Sequence, residues 1–374
     1  MIRILSTFAA LLLTIGIATA QEVKNIIYLI GDGMGLSSVT MMQVENGYNP
    51  TIFDAAENVA LQKTYSADNR VTDSAASGTA LATGHKTNNT FIGCTPDGVA
   101  VESLLDVAKA HGKATGVVVT TYLQHATPAA FYAHTESRHN YGIITKQLVE
   151  SDLDVAIGGG MGHFKEVYKE EAKNVISNHG FTLAEDMAEI KELCGDSRTL
   201  ALLADWEVGS NSGSYLADAT REALRLLEHR GEDNGFVLMV EGSLIDGMGH
   251  ANNAQAQQLE MQSFMTAIEV AVEYAKTHED TLVVVTADHE TGGLSIVSAD
   301  ANFNLSEQGV EYRWTTTGHS GAMIPIYLYG TANECINGIV ENTDIANTLK
   351  GLIGGCSSSK VAPLSLLNES QMLH

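Results

Sequence analysis

The chain contains several short runs of apolar residues that are nearly continuous rather than alternating with polar ones. Such runs are typical of strands that are buried on both faces of a parallel sheet. We predict strands over Lys24–Ile30, Ala114–Thr121, Leu153–Ile157, Phe236–Val240 and Thr281–Ala287. The last of these, TLVVVTA, is the plainest example, and a further strand is predicted over Ala322–Tyr329.

The segments between these strands have apolar residues at helical spacing. The predicted helices are Val99–His111, Tyr141–Glu150, Lys165–Asn178, Ser214–Arg230 and Asn253–His278. Residues 180–213 carry acidic clusters and few clear signals, and we expect them to be peripheral. Because strands alternate with helices along the chain, the sequence predicts an α/β fold with a largely parallel central sheet.

The amino terminus has a pattern of its own. Arg3 precedes an apolar run from Ile4 to Ile17, which is followed by Ala18-Thr19-Ala20. This pattern is typical of a secretory signal peptide, which has a charged amino-terminal region, an apolar stretch too short to span a bilayer comfortably and an Ala-x-Ala sequence before the cleavage point. We expect cleavage after Ala20, a periplasmic or secreted product, and a single domain over residues 21–374.

The chain is strongly acidic, with a formal net charge of −24. Removing the signal segment, whose one charged residue is Arg3, makes the charge −25. Such a charge disfavours nucleic acid or an anionic membrane as a partner through general electrostatics. An anionic substrate would need a local positive field, and this favours bound metal ions.

The four cysteines are Cys94, Cys194, Cys335 and Cys356. An even number in an exported chain permits disulfides, but four cysteines allow three pairings and the sequence does not choose among them. Closeness along the chain favours Cys335 with Cys356. The wide, irregular spacing does not match a zinc-finger pattern.

The stretch from Arg70 to Gly84, RVTDSAASGTALATG, places Ser74 after a polar turn and at the start of a run of small residues. That run predicts the first turns of a helix, where the helix dipole favours an anion. One interpretation is that Ser74 is only the N-cap of this helix, since serine is a common capping residue. The alternative is that Ser74 belongs to a site, and this depends on polar residues elsewhere in the chain.

Polar side chains follow the predicted strands at the points where the strands end, namely Asp32, Thr127, Glu241, Asp288 and His289. The carboxyl ends of parallel strands share one edge of a sheet, where ligands bind. We therefore expect these side chains to meet there. Histidine with carboxylate suits zinc, whereas carboxylates with a threonine hydroxyl suit magnesium.

Two further features could belong to the same site. Asp246 and His250 are four residues apart, so one helical turn could direct both at one ion, although an exposed helical pair has the same spacing. Arg138 is either a surface charge or a phosphate clamp, because its planar fork matches phosphate oxygens. The coincidence of such features at several strand ends favours a site over a purely structural interpretation.

Seven motifs then match one family in order: Asp32, Thr-Asp-Ser-Ala-Ala at 72–76, His125-x-Thr127, Ser137-Arg138, Glu241-Gly-Ser-Leu-Ile-Asp246-x-x-x-His250, Thr-Ala-Asp-His at 286–289 and Gly-His319-Ser-Gly. In these motifs the chain resembles bacterial alkaline phosphatase, from about Asn25 to Gly330. The resemblance implies a three-layer α/β/α sandwich with a largely parallel central sheet. It also implies a metal-dependent hydrolase of phosphate monoesters, with broad specificity, that forms a homodimer.

The resemblance further implies a role for each matching residue. Ser74 would be the nucleophile that forms a phosphoserine, with Arg138, Asp73 and His125 on the side of the substrate. Two Zn²⁺ and one Mg²⁺ per subunit are implied. The implied ligands are Asp246, His250 and His319 for one zinc, Asp32, Asp288 and His289 for the other, and Asp32, Thr127 and Glu241 for magnesium.

Two features set this chain apart from the enteric enzyme, and a third sets it apart from relatives that carry a large insertion. His125 stands where that enzyme has aspartate, as in marine and animal members, and we expect it beside magnesium rather than bound to it. Gly247 stands where that enzyme has lysine, so it offers no side chain to phosphate. About 30 residues separate His289 from His319, which leaves little room for a large dimer-capping insertion. The chain therefore resembles the compact, marine or cold-active members, and its few prolines and many glycines agree with this.

Two alternatives stay open at the level of sequence. A phosphodiesterase, a phosphonate hydrolase or a sulfatase could share the scaffold, although sulfatases use a different motif around the nucleophile. From another class, an exported metal- or phosphate-binding protein would keep the metal-ligating residues. Binding alone, however, needs no nucleophile at Ser74.

Overall fold

The protein is described by a computed structural model that covers residues 22–209, 213–299 and 309–355. Its strands are β1 (Asn25–Gly31), β2 (Asn58–Lys63), β3 (Ala114–Tyr122), β4 (Val155–Gly159), β5 (Phe181–Ala184), β6 (Arg198–Leu202), β7 (Phe236–Gly242), β8 (Thr281–Thr286), β9 (Glu290–Thr291), β10 (Ser295–Ser298), β11 (Val310–Arg313), β12 (His319–Ser320), β13 (Ile324–Gly330) and β14 (Gly338–Glu341). Its helices are α1 (Leu36–Glu45), α2 (Ser74–Thr83), α3 (Leu104–Ala110), α4 (Ala126–Ala129), α5 (Tyr141–Glu150), α6 (Met161–Tyr168), α7 (Ala172–Asn178), α8 (Met187–Glu192), α9 (Tyr215–Gly231), α10 (Leu244–His250), α11 (Ala254–Thr277) and α12 (Asn342–Ile353).

Ten of these strands form one sheet, in the order β14-β2-β13-β8-β1-β7-β3-β4-β6-β5. Neighbouring strands are parallel except at β13, which is antiparallel to both β8 and β2. The segment between β8 and β13 stays at the carboxyl edge and forms two small ladders, β9 with β12 and β10 with β11. Because the chain re-enters the sheet from that same edge, β13 has to run in the opposite direction.

The core lies on both faces of this sheet. Along β1, Ile26, Tyr28 and Ile30 pack into one apolar cluster, while Ile27 and Leu29 pack into the other. The first cluster is covered by helices that include α2, α3, α5 and α12, and the second by α1, α9 and α11. Strands with two buried faces need continuous apolar runs, and the predicted three-layer α/β/α sandwich is confirmed.

Two predicted helices differ from the structure at their ends. The helix expected from Val99 begins only at Leu104, because the Ser103 side chain accepts a hydrogen bond from the Asp106 amide and caps it there. The helix expected over Lys165–Asn178 is two helices, α6 and α7. They are separated at Lys169, whose φ of 54° cannot continue an α-helix.

The stretch from 180 to 213, expected to be peripheral, adds two strands to the sheet. β6 pairs in parallel with β4, and β5 pairs in parallel with β6 at the end of the sheet. Both strands are short, and β6 begins with Arg198 and Thr199. The apolar run Leu200–Ala204 marks β6, but it is only five residues long and lies among polar and acidic residues, so it was not recognised as a strand. β5 has four residues and no such run.

Several expectations concern residues outside the described ranges. The predicted signal peptide lies there, and so does Cys356. Within the described ranges Cys94, Cys194 and Cys335 are free thiols, so the pairing of Cys335 with Cys356 stays a prediction. Across those same ranges, no helix has both the length and the apolar character that a membrane span requires.

A buried carboxylate, Asp154, fastens both helical layers to the amino edge of the sheet. It is 2% exposed, and it accepts hydrogen bonds from Lys109 Nζ of α3 at 2.8 Å and from Arg230 Nε of α9 at 2.8 Å. It also accepts one from the Thr115 amide at 2.9 Å. Burial raises the pKa of Asp154, but these donors outweigh it and hold the pKa below its ordinary value.

Candidate active site

Four adjacent strands in the middle of the sheet present polar side chains at their carboxyl ends. In the order β8, β1, β7 and β3, these side chains are Asp288, Asp32, Glu241 and His125. The three carboxylates are fully buried. Sheet topology thus brings together residues that are far apart in sequence, as the rule for parallel strand ends predicts.

Ser74 is the first residue of α2, but it does not cap the helix. The N-cap is Asp73, whose Oδ1 accepts a hydrogen bond from the Ala76 amide at 3.0 Å. The Ser74 hydroxyl is therefore free of the capping role, and its Oγ lies 3.2 Å from His289 Nε2. With a side chain that is 2% exposed at the positive end of a helix dipole, Ser74 is placed among the strand-end residues.

The Gly-Asp-Gly turn after β1 has a steric reason. Gly33 has a φ of 76°, and its amide donates to Asp288 Oδ1 at 3.1 Å. A β-carbon on Gly33 would lie 2.7 Å from the Cα of Asp246. Glycine at this position therefore lets α10 approach β1 closely enough for Asp246 and Asp32 to share one site.

Asp246, His250 and His319 form what we call the outer cluster. His250 Nε2 lies 3.3 Å from Asp246 Oδ2, and His319 Nε2 lies 3.6 Å from Asp246 Oδ1. The two Nε2 atoms are 3.3 Å apart. The four-residue spacing of Asp246 and His250 is one turn of α10, so the predicted helical geometry is what directs both side chains to one point.

Backbone carbonyl groups orient both imidazole rings of the outer cluster. His250 Nδ1 donates to the Thr317 carbonyl oxygen at 2.6 Å, and His319 Nδ1 donates to that of Thr72 at 2.8 Å. Each ring therefore turns Nε2 toward Asp246, as a histidine that ligates a metal does. The hydrogen bond with Asp246 raises the pKa of His250 to about 9, whereas burial lowers the pKa of His319.

Asp32, Asp246 and His289 form the inner cluster, in which one ligand atom from each lies within 4.8 Å of the others. His289 Nε2 is 3.5 Å from Asp32 Oδ1 and 3.1 Å from Asp288 Oδ2, so Asp288 adjoins the same point. Burial raises the pKa of Asp32, and the carboxylates of Asp288 and Asp246 raise it further. Such crowding of carboxylates is unfavourable without a cation.

Asp32, His125 and Glu241 form a third cluster, again with ligand atoms within 4.8 Å of one another. Glu241 Oε2 accepts a hydrogen bond from Ser243 Oγ at 2.6 Å. Burial raises the pKa of Glu241 to about 8 although this hydrogen bond opposes the shift. Thr127 is fully buried at the start of α4, and among the described residues its hydroxyl has no hydrogen-bond partner.

Arg138 links the third cluster to the turn before Ser74. Its Nη1 donates to Asp73 Oδ2 at 3.2 Å, and its Nη2 donates to His125 Nε2 at 3.2 Å. Burial lowers the pKa of His125 to about 4, and the charge of Arg138 adds to the effect, so the ring is neutral at neutral pH. Since Nε2 accepts, the ring proton sits on Nδ1, which is 4.0 Å from Asp32 Oδ2. In this tautomer His125 orients Arg138 and offers no lone pair to an ion.

The donor set fits divalent cations. Buried polar atoms are normally hydrogen-bonded, yet five oxygen atoms in or beside the inner and third clusters have no such partner in the described structure: Asp32 Oδ1, Asp32 Oδ2, Thr127 Oγ1, Glu241 Oε1 and Asp288 Oδ2. Oxygen atoms that converge without donors are what a hard cation requires. The outer cluster, with two imidazoles and one carboxylate, has the composition of a zinc site.

Sequence reasoning missed two supporting residues on β9. Thr291 Oγ1 donates to Asp246 Oδ1 at 2.5 Å and lies 3.2 Å from His289 Nδ1, so it joins the outer and inner clusters. Glu290 accepts hydrogen bonds from the Leu294 amide and from the hydroxyl of Ser320, the neighbour of His319. Both directly follow the Thr-Ala-Asp-His motif, and extending that motif along the chain would have found them.

Comparisons with known proteins identify the family of the chain. A family model described as alkaline phosphatase matches residues 23–308. The chain is 33% identical to alkaline phosphatase 3 of Bacillus subtilis, with 89% of each protein covered. It is 30% identical to alkaline phosphatase of Escherichia coli, covering 89% of this chain and 87% of that one.

Solved structures of alkaline phosphatases from cold-adapted bacteria are also similar to this chain. Alkaline phosphatase from the Antarctic bacterium TAB5 matches with a TM-score of 0.82 at 35% identity, covering 90% of this chain and 99% of that chain. A cold-active alkaline phosphatase from a psychrophilic Shewanella matches with a TM-score of 0.80 at 32% identity, covering 88% and 99%. The resemblance found in the motifs is confirmed, and this chain is a phosphatase that belongs to the alkaline phosphatase family.

Proposed function

We propose that this phosphatase hydrolyses phosphate monoesters of broad structure through a phosphoserine at Ser74, with bound zinc and magnesium. One observation carries the proposal. The Ser74 hydroxyl is buried at a helix N-terminus without serving as its cap, and it lies 3.2 Å from His289 Nε2 of the inner cluster. A binding protein would need the clusters but not a hydroxyl held at that point.

The chemistry takes place in two steps. Ser74 Oγ forms a bond to phosphorus as the bond from phosphorus to the ester oxygen breaks, and the alcohol leaves with a proton. Water then attacks the phosphorus of the phosphoserine as the bond from phosphorus to Ser74 Oγ breaks. One proton of the water goes to Ser74 Oγ, and inorganic phosphate is released. Because both displacements occur in line, configuration at phosphorus is retained overall.

Arg138 is the residue that we assign to the phosphoryl oxygens. Its two Nη atoms are held by Asp73 and His125, so the planar fork is oriented before substrate binds. Negative charge on the phosphoryl group then meets Arg138 and the positive end of the α2 dipole. Since these contacts involve the phosphoryl group, a wide range of alcohols is accepted.

The clusters divide by chemistry into two zinc sites and one magnesium site. We assign zinc to the outer cluster and to Asp32, Asp288 and His289, and magnesium to Asp32, Thr127 and Glu241. When bound, such ions neutralise phosphoryl charge and lower the pKa of the serine hydroxyl and of water. A variant of the TAB5 enzyme with aspartate in place of a histidine holds magnesium in its M3 site, which supports magnesium in this family. Assembly as a homodimer and export stay predictions.

Release of p-nitrophenol from its phosphate monoester at alkaline pH tests the proposal. Activity should be lost on chelation, return with zinc and magnesium, and fall by orders of magnitude in Ser74→Ala. The matched control is Ser177→Ala, an exposed serine on α7, which should keep full activity. Acid quenching during turnover should leave one phosphoryl group on the peptide that contains Ser74.

The same assay separates the alternatives. A folded, metal-loaded protein that hydrolyses a diester or a sulfate ester faster than the monoester would contradict a monoesterase. Phosphate release without any phosphorylated Ser74 peptide, together with normal activity of Ser74→Ala, would contradict the proposed nucleophile.

A further inference from the structure

Four aromatic rings adjoin the candidate active site on the side of His125. The Tyr122 ring is 5.5 Å from the His125 ring and 5.8 Å from that of Tyr141. Tyr141 stacks on His163 at 4.5 Å, and His163 meets Trp206 at 5.0 Å. We call Tyr122, Tyr141, His163 and Trp206 the aromatic platform. The aromatic platform extends from the imidazole of His125, which accepts a hydrogen bond from Arg138.

The platform lies at the same edge of the sheet as the polar residues. Tyr122 is the last residue of β3, His163 follows β4 by a few residues, and Trp206 follows β6. These three strands are neighbours in the sheet, and the carboxyl edge of such a sheet is where ligands bind. Trp206 is 47% exposed, so part of a large apolar ring faces solvent at the far end of the platform from His125.

A run of glycines, Gly158–Gly160, and the nearby Gly162 allow this arrangement. A β-carbon on Gly159 would overlap the carbonyl oxygen of Trp206, and one on Gly162 would lie 3.1 Å from the indole ring. The segment with Trp206 is also held by hydrogen bonds from the Gly162 amide to the Asp205 carbonyl at 2.8 Å and from the Val208 amide to Thr120 at 3.0 Å. A side chain at Gly159 or Gly162 would therefore displace the segment that carries Trp206.

The chemistry of the platform favours a flat ring over an ion. His163 is 5% exposed, and within the described structure neither ring nitrogen makes a hydrogen bond, although Glu166 Oε2 lies 3.5 Å from Nδ1. Tyr122 and Tyr141 pair their hydroxyls with each other at 3.2 Å. His163 is buried behind these rings, so the accessible part of the platform is Trp206 with the half-buried Tyr122 and Tyr141. Aromatic surfaces of this kind bind aromatic and heteroaromatic rings by stacking.

We propose that the aromatic platform binds the ring of the alcohol in aryl phosphates and nucleoside monophosphates while Arg138 binds their phosphoryl group. This rests on the proposed function, because it names a preferred substrate class of that same site. Arg138 is one hydrogen bond from His125, and Tyr122 is the next ring beyond it. A ring joined to phosphorus by a few bonds would extend toward Tyr122, the platform ring next to His125. The enzyme accepts other monoesters but prefers these.

Binding can be measured without turnover. Trp206 and Trp314 are the two tryptophans of the chain, so Trp314→Phe makes Trp206 the sole fluorescent reporter. Adenosine, which has a base but no phosphate, should change the Trp206 emission saturably in the metal-loaded protein. Glycerol at the same concentrations should not. Absence of a saturable change with adenosine would overturn the proposal.

Kinetics supply the second arm. The ratio of kcat/KM for adenosine monophosphate to that for glycerol phosphate should fall about tenfold in Trp206→Ala and in Tyr141→Ala. Trp206→Phe, which keeps a ring, should retain most of the preference. Tyr48→Ala, a change at an exposed tyrosine on the opposite helical layer, is the control and should keep the ratio.

The outcomes are distinguishable from failure of the proposed function. If neither monoester is hydrolysed, the proposed function fails, and the adenosine titration still tests the platform. If both are hydrolysed with an unchanged ratio in Trp206→Ala and Tyr141→Ala, the platform has no role in specificity. If Trp206→Ala instead changes the number of chains in the assembly without changing the ratio, the platform is an interface between copies, and the proposal is overturned.

Discussion

Thr291 offers a direct test of the metal clusters, because its hydroxyl joins two of them. The side chain is fully buried, with Oγ1 donating to Asp246 at 2.5 Å and lying 3.2 Å from His289 Nδ1. Thr291→Val keeps the shape and removes these contacts. A hydrogen bond to a charged group contributes about 1.5–3 kcal/mol, and about 1.4 kcal/mol corresponds to a factor of ten. We therefore expect zinc affinity to fall by about 10- to 100-fold, as for other residues that support ligands.

The measurement is a competition for zinc with a chromophoric chelator, with metal bound to the chelator read by absorbance. Thr291→Ser keeps the hydroxyl and should retain most of the affinity. Thr277→Val, at the exposed end of α11, controls for the general effect of replacing a threonine. Both controls should fold and unfold as the unaltered chain does.

Two results would contradict this role of the Thr291 hydroxyl. Zinc affinity within twofold of the unaltered chain in Thr291→Val would mean that the hydroxyl does not orient Asp246 or His289 toward metal. An equal loss in Thr291→Ser, which keeps the hydroxyl, and in Thr291→Val, which removes it, would mean that loss of the hydroxyl is not the cause. Neither result depends on catalytic activity.

Three further outcomes are expected. Asp154→Asn should lower the free energy of unfolding in urea by about 3 kcal/mol, because it weakens a buried ion pair. The pKa of Asp154 is lower in the folded chain than in the unfolded chain, where it is about 4. The stabilisation is therefore complete above the unfolded pKa and disappears as the pH falls through the folded pKa. A difference in unfolding free energy between Asp154→Asn and the unaltered chain that persists far below about pH 4 would contradict this. Gly247→Ala should stabilise the metal-free protein by up to about 1 kcal/mol in thermal unfolding, since the added β-carbon would meet nothing within 4 Å. Gly249→Ala should destabilise the protein, because the β-carbon at that position would contact Thr291. Arg138→Lys should raise the KM for a monoester at least about tenfold in steady-state kinetics, because lysine cannot bridge two oxygens; an unchanged KM would remove Arg138 from phosphate binding.

Much of the fold and of the candidate site could be predicted because the relevant signals are local. The run at Thr281–Thr286 is apolar on both faces, so its burial in the sheet follows from the sequence alone. Asp32 and Asp288 follow β1 and β8 directly, and any largely parallel sheet puts such residues at one edge. The turn of α10 sets the distance from Asp246 to His250 in the same local way.

What could not be predicted depends on which elements become neighbours. β2 and β14 lie at one end of the sheet and carry mixed residues, as in Asn58–Lys63, so no apolar run marks them. The cap at Asp73, rather than at Ser74, depends on a backbone turn that either residue could form. The stacking of Tyr141 on His163 joins two helices whose contact follows from strand order, which the sequence does not state.

The sharing of ligands among the three clusters has a thermodynamic consequence. Asp246 belongs to the outer and inner clusters, and Asp32 belongs to the inner and third clusters, so no cluster can change without changing its neighbour. With the proposed ligands, Asp32 would serve both the second zinc and magnesium, so the metal affinities would be linked. An ion bound there would remove part of the carboxylate repulsion around Asp32 and so favour binding of the next ion. Loading should be cooperative, with a Hill coefficient above one in a zinc titration. Loss of one ion should likewise weaken the retention of the others, so the three sites would empty together rather than independently.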